Sequence, residues 1–116
     1  SNLVNLMKNY TLKWITQRIT AVLLIPLTFW FISKCLLFVS MNYDQLLVFF
    51  KSKLNSSLFI LIMIVMLIHA KIGSETIIDD YIKFGNLKKI TKLIINTFIY
   101  FSMLIVIISI LKIMII

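Results

Sequence analysis

Cysteine, proline, glycine, histidine and acidic residues are all scarce in this chain of 116 residues: it has one Cys, one Pro, two Gly, one His and four Asp or Glu. A single Cys excludes an internal disulfide and argues against a cysteine-built metal site. Two glycines leave no phosphate-binding Gly loop, and one His with four carboxylates completes neither a paired-carboxylate hydrolase site nor a Ser/His/Asp set. No enzyme constellation is complete within the chain, so any reaction must be shared with other chains. Charge is sparse too, at 14% of residues, against 61% hydrophobic residues and a mean hydropathy of +1.05. A soluble domain of this size could not cover so much apolar surface. The expected fold is therefore all-α and integral to a membrane.

The charge present is mostly positive, 12 Lys or Arg against four Asp or Glu, with a net value of +8. No basic-aromatic module for nucleic acid is visible, and the lysines flank apolar runs, where they serve orientation and lipid headgroups. Three such runs approach the ~20 residues that cross a bilayer core. They cover approximately residues 19–39, 58–78 and 93–113, within a single domain over 1–116. Residues 1–18 form a short, partly amphipathic lead-in expected at the interface, where Trp14 is an anchor or a ligand contact. No small-residue cleavage site follows the first run, which is expected to be a retained span. Pro26 predicts a kink near Val22, Lys34 can snorkel, and Cys35 is expected to be a small buried apolar residue. The segment 40–54 is expected to lie along the interface, and Asn55, Ser56 and Ser57 offer caps for the second span. A loop is expected over Ile82–Lys92.

Basic residues are unequally shared between the two sides. The lead-in and second loop carry Lys8, Lys13, Arg18, Lys83, Lys88, Lys89 and Lys92, whereas the first loop and C-terminal end carry Lys51, Lys53 and Lys112. The N-terminus is therefore expected on the cytoplasmic or matrix side and the C-terminus opposite.

The most informative stretch is Leu61 to Tyr81. It holds the only His and three of the four acidic residues. On a helix, His69, Gly73, Thr76 and Asp80 share one narrow face, while Glu75 and Asp79 fall elsewhere. An ionisable residue inside a span usually faces protein, ligand or a polar pathway. His69 can be an axial ligand to haem iron, with Gly73 one turn away making room for a flat macrocycle. Equally, it can be a packed His bonded to a neighbouring helix, with Gly73 serving close packing. One His cannot supply both axial ligands, so a bis-His haem needs a partner subunit. Asp80 and Tyr81 can serve a quinone, the phenol donating to a carbonyl and the carboxylate orienting it or passing a proton. They can also be an interfacial Tyr and a helix-end carboxylate paired with Lys83 or Arg18. Arg18, the only Arg, suits a carboxylate such as a haem propionate, or is simply a basic stop before the first span. Lys71 and Glu75 are four apart and can pair.

Two motifs carry a family resemblance. The first is Trp14-x-x-Gln17-Arg18-x-Thr20-Ala21, followed by the apolar LLIPL with Pro26; the second is His69-Ala70-x-x-Gly73, then six residues to Asp80-Tyr81. In spacing and placement they resemble the small hydrophobic membrane anchor subunit of succinate dehydrogenase (respiratory complex II), the anchor protein that pairs with the cytochrome b subunit. The resemblance covers nearly the whole chain, and the second motif is the specific one. It implies one half of a heterodimeric six-helix anchor, three helices coming from that companion cytochrome b subunit. A flavoprotein and an iron–sulfur subunit would dock on the inner side and pass electrons from succinate to ubiquinone. By this resemblance His69 matches the haem b ligand, Arg18 an Arg near the haem propionates and quinone pocket, and Tyr81 the Tyr that hydrogen-bonds ubiquinone, with Asp80 beside it. The location implied is the mitochondrial inner membrane or the bacterial cytoplasmic membrane. The chain departs from its relatives at Lys13, where they often have His, at Ser74, where they often have Met, and at Lys71, an unexpected charge near His69. The rival expectation is a haem-free structural subunit of another respiratory complex. A small self-associating pore, the third reading, would not need Asp80–Tyr81 beside Arg18.

Overall fold

The computed structural model describes residues 2–116 as four helices: α1 (Asn2–Phe38), α2 (Tyr43–Lys51), α3 (Lys53–Tyr81) and α4 (Gly85–Ile115). There is no strand among the described residues. Three of the helices, α1, α3 and α4, are long and apolar enough to cross a membrane. At ~1.5 Å per residue α1 spans about 55 Å, which accounts for the molecule's longest dimension of 54 Å. The lead-in and first span are therefore one continuous helix. Pro26 lies inside it without ending it, and neighbouring helices make that tolerable in lipid.

The connections are tighter than the sequence suggested. The segment after the first span folds into α2, started by a capping box in which Gln45 N–H donates to Asn42 Oδ1 at 2.9 Å and Asn42 N–H to Gln45 Oε1 at 3.0 Å. Asn55, Ser56 and Ser57 do not cap α3. Its N-cap is Ser52, whose side chain accepts from Asn55 N–H. Ser56 is instead fully buried and donates to the Phe50 carbonyl. Between α3 and α4 only residues 82–84 are non-helical, so Lys88, Lys89 and Lys92 belong to α4. Lys88 and Lys92 reach back to Asp79, at 3.8 and 2.7 Å, and tie the two helices together.

Helix α3 is central, packed against α1 on one side and α4 on the other. Leu27 of α1 meets Ile62 and Val65 of α3 in the apolar core, flanked by Leu24, Phe31, Leu58 and Met63. A run of Phe rings (Phe38 to Phe49, Phe50 and Phe59, centroids 5.0 to 5.9 Å apart) holds α2 to the same end. In the most apolar stretches of α1, α3 and α4 only 6%, 17% and 11% of residues are buried. That leaves large side chains such as Ile25, Phe29, Leu36, Phe98 and Phe101 exposed. Lipid and partner helices must cover them. Hydroxyls on Thr11, Ser33, Thr91 and Ser102 donate to carbonyls of their own helix, which removes their need for water.

Candidate functional site

Near the N-terminal end of α1 and the C-terminal end of α3 the two helices frame a cavity of about 830 Å³. The wall from α1 follows a helical stripe: Leu6, Asn9 and Tyr10, Lys13 and Trp14, Gln17 and Arg18, then Ala21. The wall from α3 follows the same spacing: His69, Ile72 and Gly73, Glu75 and Thr76, then Asp79 and Asp80. The stripe expected from sequence is therefore correct but too narrow. Glu75 and Asp79, expected elsewhere, also face this space.

Three contacts set the antiparallel register of the two helices. Thr20 Oγ1 lies 3.0 Å from His69 Nδ1. The Gln17 amide nitrogen lies 3.3 Å from where a side chain at Gly73 would begin. Lys13 Nζ lies 2.9 Å from Glu75 Oε2. Each α1 partner precedes the last as its α3 partner follows, so polar pairs step outward from Thr20.

His69 is half-buried, on the cavity wall and bonded to the neighbouring helix. Glu75 is buried, only 8% exposed, and is held by two ammonium groups, Lys13 at 2.9 Å and Lys71 at 3.7 Å. Lys71, the unexpected charge near His69, is thereby neutralised, and its Nζ also sits 5.6 Å from the Tyr100 ring centre on α4. Arg18 is exposed and lies over the Trp14 ring at 5.4 Å, a cation–π contact that leaves its guanidinium hydrogens available. Among the described residues it has no carboxylate partner, and neither has Asp80 a cationic one; the ion-paired aspartate is Asp79. Tyr81 is 81% exposed at the end of α3 and is not on the cavity wall.

The space beside Gly73 is taken up by Gln17, so α1 and α3 approach closely here with no room for a bulky side chain. Since the contact is the far end of a flexible side chain, Gly73→Ala is expected to be accommodated by a few tenths of an ångström. Gly73→Leu is expected to push the helices apart, costing about 1–3 kcal/mol as overpacking does. Thermal denaturation of both variants in detergent checks the contrast, and equal melting temperatures would remove it.

Sequence reasoning missed the roles of Thr20, Gln17 and the Lys13–Glu75 pair. Thr20 stood inside the first motif, but its partner lies 49 positions away, beyond any local periodicity. Gln17 carries a further signal: its Oε1 is buried without a hydrogen-bond partner among the described atoms. Buried acceptors are seldom left so. No group of three His, Cys, Asp or Glu among the described residues could hold a metal ion.

Residues 5–110 match the family described as "Succinate dehydrogenase/Fumarate reductase transmembrane subunit". Among curated proteins none matches significantly.

Proposed function

Because the chain belongs to the succinate dehydrogenase/fumarate reductase transmembrane subunit family, we propose that it is the small membrane anchor protein of a succinate:ubiquinone oxidoreductase. In this role it holds the flavoprotein and iron–sulfur subunits at the membrane and has no independent activity. It packs with a companion cytochrome b subunit, co-ligates haem b, and helps to form the ubiquinone site. The observation that carries this reading is the position of His69, the chain's one imidazole, on the wall of a cavity with cationic side chains.

The donor set suits a haem. His69 would supply one nitrogen ligand to its iron, and the companion subunit would supply another. The Arg18 guanidinium, held over Trp14 and free of carboxylates, suits a propionate. Gly73 lets Gln17 sit beside this space without spreading the helices. When bound, the haem takes up and releases single electrons. Tyr81, exposed and outside its own chain's cavity, presents a phenol O–H to a quinone carbonyl at a pocket that other subunits complete, and Asp80 stands beside it. The N-terminal end of α1 and the C-terminal end of α3 then lie on the matrix or cytoplasmic side, where the basic residues concentrate. The haem-free alternative takes the His69–Thr20 bond as helix packing alone.

Tyr81→Phe tests the quinone role. Succinate-driven ubiquinone reduction is expected to fall about tenfold or more, the scale of one lost hydrogen bond to a reacting group. Succinate oxidation by an artificial acceptor should stay unchanged. Loss of both activities in an intact complex would remove Tyr81 from the quinone site.

A further inference from the structure

We propose that Thr20 is the positioning residue that fixes the tautomer and orientation of His69, presenting Nε2 as its one basic nitrogen. The identity of the ligand that Nε2 meets, a haem iron, rests on the function proposed above; the role of Thr20 does not.

Thr20 is 6% exposed, so its hydroxyl cannot turn to water. Its Oγ1 lies 2.8 Å from the Thr16 carbonyl oxygen, 3.1 Å from the Gln17 carbonyl oxygen and 3.0 Å from His69 Nδ1. Carbonyl oxygens can only accept, and a hydroxyl has one hydrogen. We assign that hydrogen to the backbone of α1, the usual habit of a mid-helix Thr and the direction of its shortest contact, 2.8 Å to the Thr16 carbonyl. With that assignment the oxygen's lone pairs face His69, and Nδ1 is the nitrogen that carries hydrogen and donates. A neutral imidazole has only one N–H, and Nε2 is left with a free lone pair.

The arrangement does more than satisfy a polar group. Thr20 belongs to α1 and His69 to α3, so the ring plane is tied to both walls of the cavity. The acceptor is a neutral hydroxyl, not a carboxylate, so the ring gains orientation without the added basicity an anionic partner would lend. Hydrogen-bonding the second nitrogen in this way is how proteins commonly orient a ligating imidazole.

Because the chain has a single His, labelling the full chain with ¹⁵N-histidine gives two ring-nitrogen signals. In lipid nanodiscs at mildly alkaline pH, Nδ1 is expected to be protonated and Nε2 bare. Thr20→Val keeps the β-branched shape and removes the oxygen; it should abolish this preference and let hydrogen move to Nε2. Thr20→Ser should restore it, a rescue that a packing role would not give. An Nε2–H ring in the unaltered chain, or an unchanged ring in Thr20→Val, would overturn the proposal. In the assembled complex, Thr20→Val should also lower haem affinity roughly 10–100-fold, as loss of an outer-shell partner does, with Thr20→Ser near normal. If the nitrogen signals behave as expected but His69→Ala leaves the complex's optical spectrum unchanged, the haem reading falls and the Thr20 role stands. If His69→Ala removes a haem signal while Thr20→Val leaves the ring tautomer unaltered, the haem reading stands and the Thr20 role falls.

Discussion

His69→Ala is expected to abolish haem binding while leaving the subunits assembled. The chain holds no second His to take over, and a small apolar side chain cannot replace an axial nitrogen. Assembly should survive because His69 is not part of the apolar core formed by Leu27, Ile62 and Val65. Nor does its loss strand a buried donor: the Thr20 hydroxyl still donates to the Thr16 carbonyl at 2.8 Å. The cost to stability is that of one neutral hydrogen bond, about 1 kcal/mol. The measurement is haem per flavin in the complex captured through this chain. Unchanged haem content in His69→Ala would assign the ligand to another chain.

Glu75→Lys is expected to be the most destabilising single charge change in the chain. Glu75 is buried between Lys13 and Lys71, at 2.9 and 3.7 Å. Reversing it would place three cations, Lys13, Lys71 and the new lysine, where Glu75 now pairs two. Breaking a buried ion pair costs about 3–5 kcal/mol, and an exposed pair about 0–1. With the Lys13 side chain 52% exposed and Glu75 only 11%, the expected loss is intermediate, about 2–3 kcal/mol. The double variant Lys13→Glu with Glu75→Lys re-forms the interhelical pair and should recover part of that loss, the remainder reflecting repulsion between Lys71 and the new lysine four residues on. Melting of the chain, both single variants and the double variant in the same detergent completes the cycle. A double variant no more stable than Glu75→Lys alone would show that the pair does not hold the helices together.

Much of this arrangement is legible in the sequence because a membrane span has a simple signature. Three apolar runs and their basic flanks are enough to place α1, α3 and α4, and helical spacing is enough to set His69, Gly73 and Asp80 on one stripe. The motifs around Arg18 and His69 pointed to the complex II anchor family, and the match over residues 5–110 bears out that family without separating the small anchor protein from the family's other members. Short-range structure was less well read. Helix α2 is preceded by Asn42 with Gln45 three residues on, a capping box hidden in a segment that hydropathy marks as a connection. Gly85, inside the loop expected over Ile82–Lys92, takes a helical place at the start of α4, where a side chain would meet nothing within 4 Å. The pairs that build the site, Thr20 with His69 and Lys13 with Glu75, are 49 and 62 positions apart. Only the packing of α1 against α3 brings them together.

The most direct measurement is a reduced-minus-oxidised optical difference spectrum of the complex captured through this chain in mild detergent, with flavin and iron–sulfur content determined on the same sample. The expected result is a b-type haem signal alongside both partners. A flat spectrum with both partners present would contradict the haem role of His69 and leave the chain as an anchor alone.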